Sequence, residues 1–211
     1  LGAATRHLAK GGVLHEDDLR QTGRCLLVVS DLRATLSAAA DIAPDLARLA
    51  GRSDPLGALA RDIVGLFDET GRLKDDASPR LWDARSRGKT IRVQIRKLLD
   101  DYLLDTNVQP CLQGDYFTLR DERYVLPIKT SLRGRVPGII HGSSNTGESV
   151  YVEPELIVSL NNTLMMQHED VRAAELEVLR DWSADLRGLT AGIDASLALA
   201  LRLQRAKGFL R

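Results

Sequence analysis

The sequence predicts a mainly α-helical fold: a core of short helices, then a pair of long antiparallel helices with a small antiparallel β-sheet inserted between them. Three observations carry the prediction. The stretch 116–154, YFTLRDERYVLPIKTSLRGRVPGIIHGSSNTGESVYVEP, is the one long segment whose pattern is not helical. It alternates in two-residue steps through 116–120 and 124–129, and Ile139-Ile140 and Val150-Tyr151-Val152 add two short β-type runs. Turn formers separate these runs at Asp121-Glu122, Arg133-Gly134, Pro137-Gly138 and Gly142 to Gly147, giving three or four strands. Apolar residues at helical spacing flank the stretch on both sides. Aromatic residues make up only 4% of the chain, so Leu and Ala must do most of the packing, as in proteins of long helices.

Taken in order, residues 1–9 read as the end of a helix stopped by Gly11-Gly12. His15-Glu16-Asp17-Asp18 places acidic side chains in a first turn, where the helix dipole favours them. Leu19, Leu26, Val29, Leu32 and Leu36 then recur at helical spacing. Pro44 and the segment 51–55 break the chain, and Asp54 is placed to cap a helix with Pro55 at its first position. Leu56, Leu59, Ile63 and Leu66 form the apolar face of that helix, and Gly71 bends the turn after it. Ser78-Pro79 starts a long helix reaching to about Asp105, with Ile91, Ile95, Leu98 and Tyr102 as a narrow seam. At ~1.5 Å per residue it is roughly 40 Å long, an arm more than a core element. Past the sheet, Pro154 opens the second long helix, with Glu153 and Glu155 at its positive end. Leu160, Leu164, Val171, Ala174, Val178 and Trp182 form its inner face, and Gly188 and Gly192 each weaken it by roughly 1 kcal/mol. Two helices that enter and leave one small sheet are antiparallel neighbours.

Lys and Arg together number 29, as do Asp and Glu, so whole-chain charge supports neither nucleic-acid nor membrane binding. Any polyanion must be met by a local patch. No apolar run is long enough to span a membrane and no signal peptide is visible, which makes the cytoplasm the expected location. Cys25 and Cys111 lie far apart and read as reduced, buried thiols. A start at Leu1 and an end at Phe209-Leu210-Arg211 read as a piece of a longer protein.

Two places imitate a nucleotide-binding loop. Gly142 to Ser149 has the glycine spacing of G-x-x-x-x-G-K-S/T, but Glu148 stands where the lysine belongs and would repel phosphate. Gly88-Lys89-Thr90 has the right ending, yet Asp83 replaces the first glycine and no strand precedes it. His7, His15, His141 and His168 show no metal-ligand spacing, and a structural, hydrogen-bonded role is expected for His141. Asp75-Asp76 and Asp100-Asp101 point to different helix faces and suit solvation, while Met165-Met166 reads as packing. No nucleophile, metal set or acid–base pair emerges, so neither catalysis nor a cofactor is expected within this chain.

The basic residues of the sheet differ. Between 116 and 147, Arg120, Arg123, Lys129, Arg133 and Arg135 face only Asp121 and Glu122. Arg133-Gly134-Arg135 reads as a hairpin tip from which arginines reach phosphates, and Ser143, Ser144 and Asn145 add neutral phosphate contacts. The alternative is that these charges only keep edge strands soluble. The sheet and helices then make a dimer or dock a protein partner.

RYVLPIK at 123–129, GIIHGSSNTGESVYVEP at 138–154, LNN at 160–162 and GRLKDDASPRLWDAR at 71–85 resemble the MutS family. The similarity is to its second branch, the proteins linked to recombination suppression rather than mismatch repair. The resemblance covers the middle of the chain, and residues 1–66 match only loosely. It implies a partial helical core at 1–77, an ascending lever helix at 78–110, a DNA-touching clamp at 111–153 and a descending lever at 154–211. It further implies a homodimeric full-length protein that acts on branched DNA, with some relatives acting on stalled ribosomes. That protein has an ATPase using ATP and Mg²⁺ and an Smr-type nuclease, both outside this chain. Arg120, Arg123, Lys129, Arg133, Arg135, Ser143, Ser144 and Asn145 are the expected DNA contacts.

Overall fold

The computed structural model of the chain describes residues 2–42, 44–50, 56–195, 197, 198 and 201. The expected cap at Asp54-Pro55 and the segment 209–211 lie outside them. The fold is mainly helical, with a four-stranded antiparallel sheet inserted between the two longest helices. Contacts divide the chain into two compact units, one of Leu1–Pro79 with Ala174–Arg211 and one of Arg80–Ala173.

The first unit is helical. It holds α1 (Gly2–Ala9), α2 (Glu16–Ala38), α3 (Pro44–Ala50) and α4 (Gly57–Gly65). The acidic first turn of α2 falls at Glu16, Asp17 and Asp18, and its inner face buries Leu19, Leu26 and Val29 as the spacing predicts. Pro44 begins α3 rather than only ending what precedes it, because the first helical position needs no N–H from it. Cys25 is exposed on α2, not buried. After α4, Gly71 adopts φ +88 and Phe67 bridges to Leu73. The Asp68 carboxylate accepts bonds from the Thr70 hydroxyl and from the Thr70 and Arg72 amides. These bonds, the Thr70 hydroxyl first, hold its pKa below the usual carboxylate value.

Gly23 marks where α2 meets α4. A Cβ there would stand 2.6 Å from Cγ2 of the fully buried Ile63 and 3.3 Å from Cγ2 of Val64. Gly23→Ala gains roughly 1 kcal/mol of helix propensity but forces a close-packed contact apart. We expect a net loss of about 1–2 kcal/mol by urea unfolding.

The second unit carries α5 (Pro79–Leu103), from Arg80 onward, then β1 (Thr118–Arg120), β2 (Arg123–Lys129), β3 (Gly138–Ser143), β4 (Ser149–Pro154) and the first part of α6 (Glu155–Arg187). Ile95 and Leu99 of α5 pack with Leu126 and Ile128 of β2, Val150 and Val152 of β4, and Ile157 and Leu164 of α6. The seam of α5 thus runs through Leu99. Leu98 is 37% exposed, because Ile91, Ile95 and Leu99 keep four-residue steps and Leu98 falls off that line. Met165 and Met166 lie beside the buried stripe of α6 and are exposed at 37% and 69%, so they are surface and not packing. The expected weak point at Gly188 is a break: α6 ends at Arg187, Gly188-Leu189 turn, and helix resumes at Thr190.

Strand order is β1-β2-β4-β3, every pair antiparallel. β2 and β3 both flank β4, so they run parallel to each other, and parallel strands need a crossover instead of a hairpin. The crossover is a 3₁₀ turn, Thr130–Arg135. Arg133-Gly134-Arg135 is therefore no hairpin tip. The two tips are Asp121-Glu122, both in the left-handed region at φ 48 and 64, and the Ser144–Gly147 turn between β3 and β4.

Candidate nucleic-acid interface

The expected contact residues divide into an inner and an outer set. Arg123 belongs to the inner one. Its guanidinium donates to Glu153 Oε1 at 2.8 Å and to Asn162 Oδ1 at 2.7 Å. Glu153 is fully buried on β4 just before α6 begins, and also meets His141 Nε2 at 2.5 Å and Asn161 Nδ2 at 2.9 Å. Asn161 in turn holds both the N–H and the C=O of Tyr124. A buried carboxylate is stable only with such partners, and here three side chains from β2, β3 and α6 converge on one. The clasp fastens the start of α6 to the sheet.

The outer set faces solvent. Arg120 lies over the Tyr151 ring, 4.1 Å from its centroid, a cation–π contact that keeps the charge available. Lys129 ends β2 and donates to the Pro110 carbonyl at 3.0 Å. Next to it, Thr130 ties the crossover to the β3–β4 turn, donating its amide to Glu148 O and its hydroxyl to Gly147 O. That brings Lys129 and the start of the crossover to the same end of the sheet as Ser143, Ser144 and Asn145. Ser144 is occupied in part: its hydroxyl pairs with Thr146 and accepts the Ser149 amide. Arg133 and Arg135 are exposed on the crossover, with Leu132 and Val136 turned to the core, and make no ion pair with described residues.

One nearby acid, Glu122, is engaged. Glu122 meets His168 Nδ1 at 3.1 Å and Arg172 at 3.5 Å on α6, and Arg92 of α5 approaches the other nitrogen of His168 at 3.4 Å. The clasp and this relay were not visible as contacts in sequence. The clasp has one signal, that Arg123, His141, Glu153, Asn161 and Asn162 all fall within the motifs that carry the family resemblance, whereas Arg92, Glu122, His168 and Arg172 lie outside them.

Neither stretch that imitates a phosphate loop takes that form. Gly142–Gly147 joins two strands and leads into no helix, Gly88 is buried inside α5, and among the described residues no three His, Cys, Asp or Glu side chains converge. No helix of the described residues is long and apolar enough to cross a membrane.

No family model matches the chain. Individual proteins do. The endonuclease MutS2 of Anaeromyxobacter sp. (strain Fw109-5) is 32% identical over 200 residues, 95% of this chain and 25% of the relative. The chain is homologous to part of the MutS2 proteins. The MutS2 of Solidesulfovibrio magneticus is 38% identical over 133 residues, covering 63% of this chain and 17% of its own length. That of Geobacillus thermodenitrificans is 30% identical over 182 residues, 85% of this chain and 23% of its own. The chain spans a quarter or less of the length of these MutS2 relatives.

Proposed function

We propose that the sheet of this MutS2-like chain grips the sugar–phosphate backbone of DNA. In this reading residues 1–77 are core, 78–110 and 154–211 are levers and 111–153 is the clamp. The whole protein is then a cytoplasmic homodimer acting on branched or recombining DNA, with an ATPase that uses ATP and Mg²⁺ and a nuclease. One observation carries the reading. Residues 130–147 hold Arg133, Arg135 and no acidic residue, in a chain whose acids and bases balance. Arg120, Lys129, Ser143, Ser144 and Asn145 supply further donors, while Arg123 serves from behind by fixing the sheet to α6. Phosphate contacts carry no base identity, so binding responds to DNA shape rather than sequence.

Arg133→Glu with Arg135→Glu tests this by gel retardation. Two charge-assisted contacts are lost and two repulsions added, and affinity should drop on the order of 100-fold at low salt. The melting temperature should hold, since both side chains are exposed and unpaired among the described residues. Equal retardation of parent and variant would remove the proposal. Ribosomal RNA offers the same phosphate chemistry, so preferential binding to it over branched DNA would instead assign the patch to a ribosome-directed role.

A further inference from the structure

We infer that α5 carries a second contact for the DNA backbone, a row of cations along one side of the helix, distinct from the sheet patch. DNA as the occupant rests on the reading above, but the row does not depend on the sheet residues. Between 80 and 97 seven bases stand against one acid, Asp83, in a chain whose bases and acids are equal in number. That is a denser positive run than 130–147, which holds two bases.

The helix sorts these charges. Leu81, Ala84, Gly88, Ile95 and Leu99 form its buried side. Arg85, Lys89, Arg92 and Arg96 follow one another at steps of four, three and four. They therefore line one side of α5 over about 16 Å. Lys97 stands beside Arg96, and Lys89, Arg96 and Lys97 are exposed. Like charges at these steps repel, and a helix that served only as a strut would alternate its signs. Some of the cations are engaged within the chain. Arg85 and Lys89 each meet another residue, Arg87 pairs with Asp83, and Arg92 approaches His168 at 3.4 Å. Arg96 and Lys97 have no hydrogen-bond or ion-pair partner among the described residues, so they are the donors left for a ligand.

The exposed side of α5 suits a phosphate chain better than a protein or a membrane. Its large exposed apolar side chains between 80 and 97 are Trp82 and Val93, at 57% and 67%. They lie about 16 Å apart along the axis. A partner helix or a membrane surface needs apolar residues every three or four positions. Lysine is also depleted from the centres of protein interfaces. A phosphate chain needs only cations, and Lys and Arg gathered along one helix are its electrostatic footprint. Asp100, exposed on the next turn, ends the run.

The test measures duplex DNA binding by the 211-residue chain across salt, by fluorescence anisotropy. Arg96→Glu with Lys97→Glu should weaken binding on the order of 30-fold at low salt and flatten the log–log salt slope by about 2, in addition to the share that the sheet arginines carry. Asp100→Lys extends the row and should tighten binding by about threefold, a gain that no folding defect produces. Asp31→Lys makes the same charge change at an exposed site of α2 and should leave affinity unchanged. Parent affinity in the Arg96→Glu, Lys97→Glu variant overturns the inference and leaves the sheet reading standing. Equal gains from Asp100→Lys and Asp31→Lys also overturn it, because net charge alone then explains them. A loss in the α5 variant, with Arg133→Glu and Arg135→Glu binding as the parent does, upholds the inference and removes the sheet reading. No DNA binding by the parent removes both. Displacement of the duplex by polyglutamate as readily as by unlabelled duplex would assign the row to an acidic protein, against the inference.

Discussion

Gly138→Ala is expected to destabilise the sheet unit by about 3 kcal/mol or more. A Cβ at this position would stand 2.1 Å from the Glu153 carbonyl oxygen and 2.9 Å from its carbonyl carbon. Both are backbone atoms of the central strand β4, so no rotamer change relieves the overlap. Gly138 opens β3 opposite Pro154, and Pro137 beside it accepts the amide of Glu155 as α6 begins. The added methyl must therefore push β3 from the sheet or α6 from its first bond. Urea unfolding should show the loss, with binding to DNA weakened alongside. An unchanged midpoint would mean that β3 does not lie this close to β4.

Removing the Glu153 carboxylate should have a comparable effect. Glu153→Ala leaves the Arg123 guanidinium and His141 without the fully buried carboxylate they share. Breaking one half of a buried pair typically costs about 3–5 kcal/mol. Arg123 keeps 20% of its side chain exposed, which puts the expected loss at the lower end, about 3 kcal/mol. Replacing both halves, Arg123→Met with Glu153→Leu, removes the orphaned charge and should recover much of the stability. A double-mutant cycle by urea unfolding measures the coupling, which should exceed 1 kcal/mol or so. Strict additivity of the two single changes would show that the clasp is not a coupled unit.

The sheet was legible in the sequence because its runs are short, alternating and punctuated. The runs at 124–129, 139–140 and 150–152 all fall inside β2, β3 and β4. The order of the strands was not legible. Periodicity says which residues face one way but not which strand lies in the middle, so Arg133-Gly134-Arg135 looked like a tip and is a crossover. The long helices followed from Ser78-Pro79 and from Pro154, while the seam was misplaced by one residue at Leu98 because two leucines are adjacent there. Charge counting singled out the basic patch but cannot separate a guanidinium in water from one on a buried carboxylate. Arg123 and Arg133 look alike in sequence, and only the approach of β4 and α6 to Arg123 distinguishes them.

The salt dependence of DNA binding bears most directly on the claim that this surface holds phosphates. Arg120, Lys129, Arg133 and Arg135 at four phosphates give a log–log slope of about −3.6, and Arg133→Glu with Arg135→Glu should flatten it by about 2. A parent slope near zero, or one that the double charge reversal leaves unchanged, would contradict it.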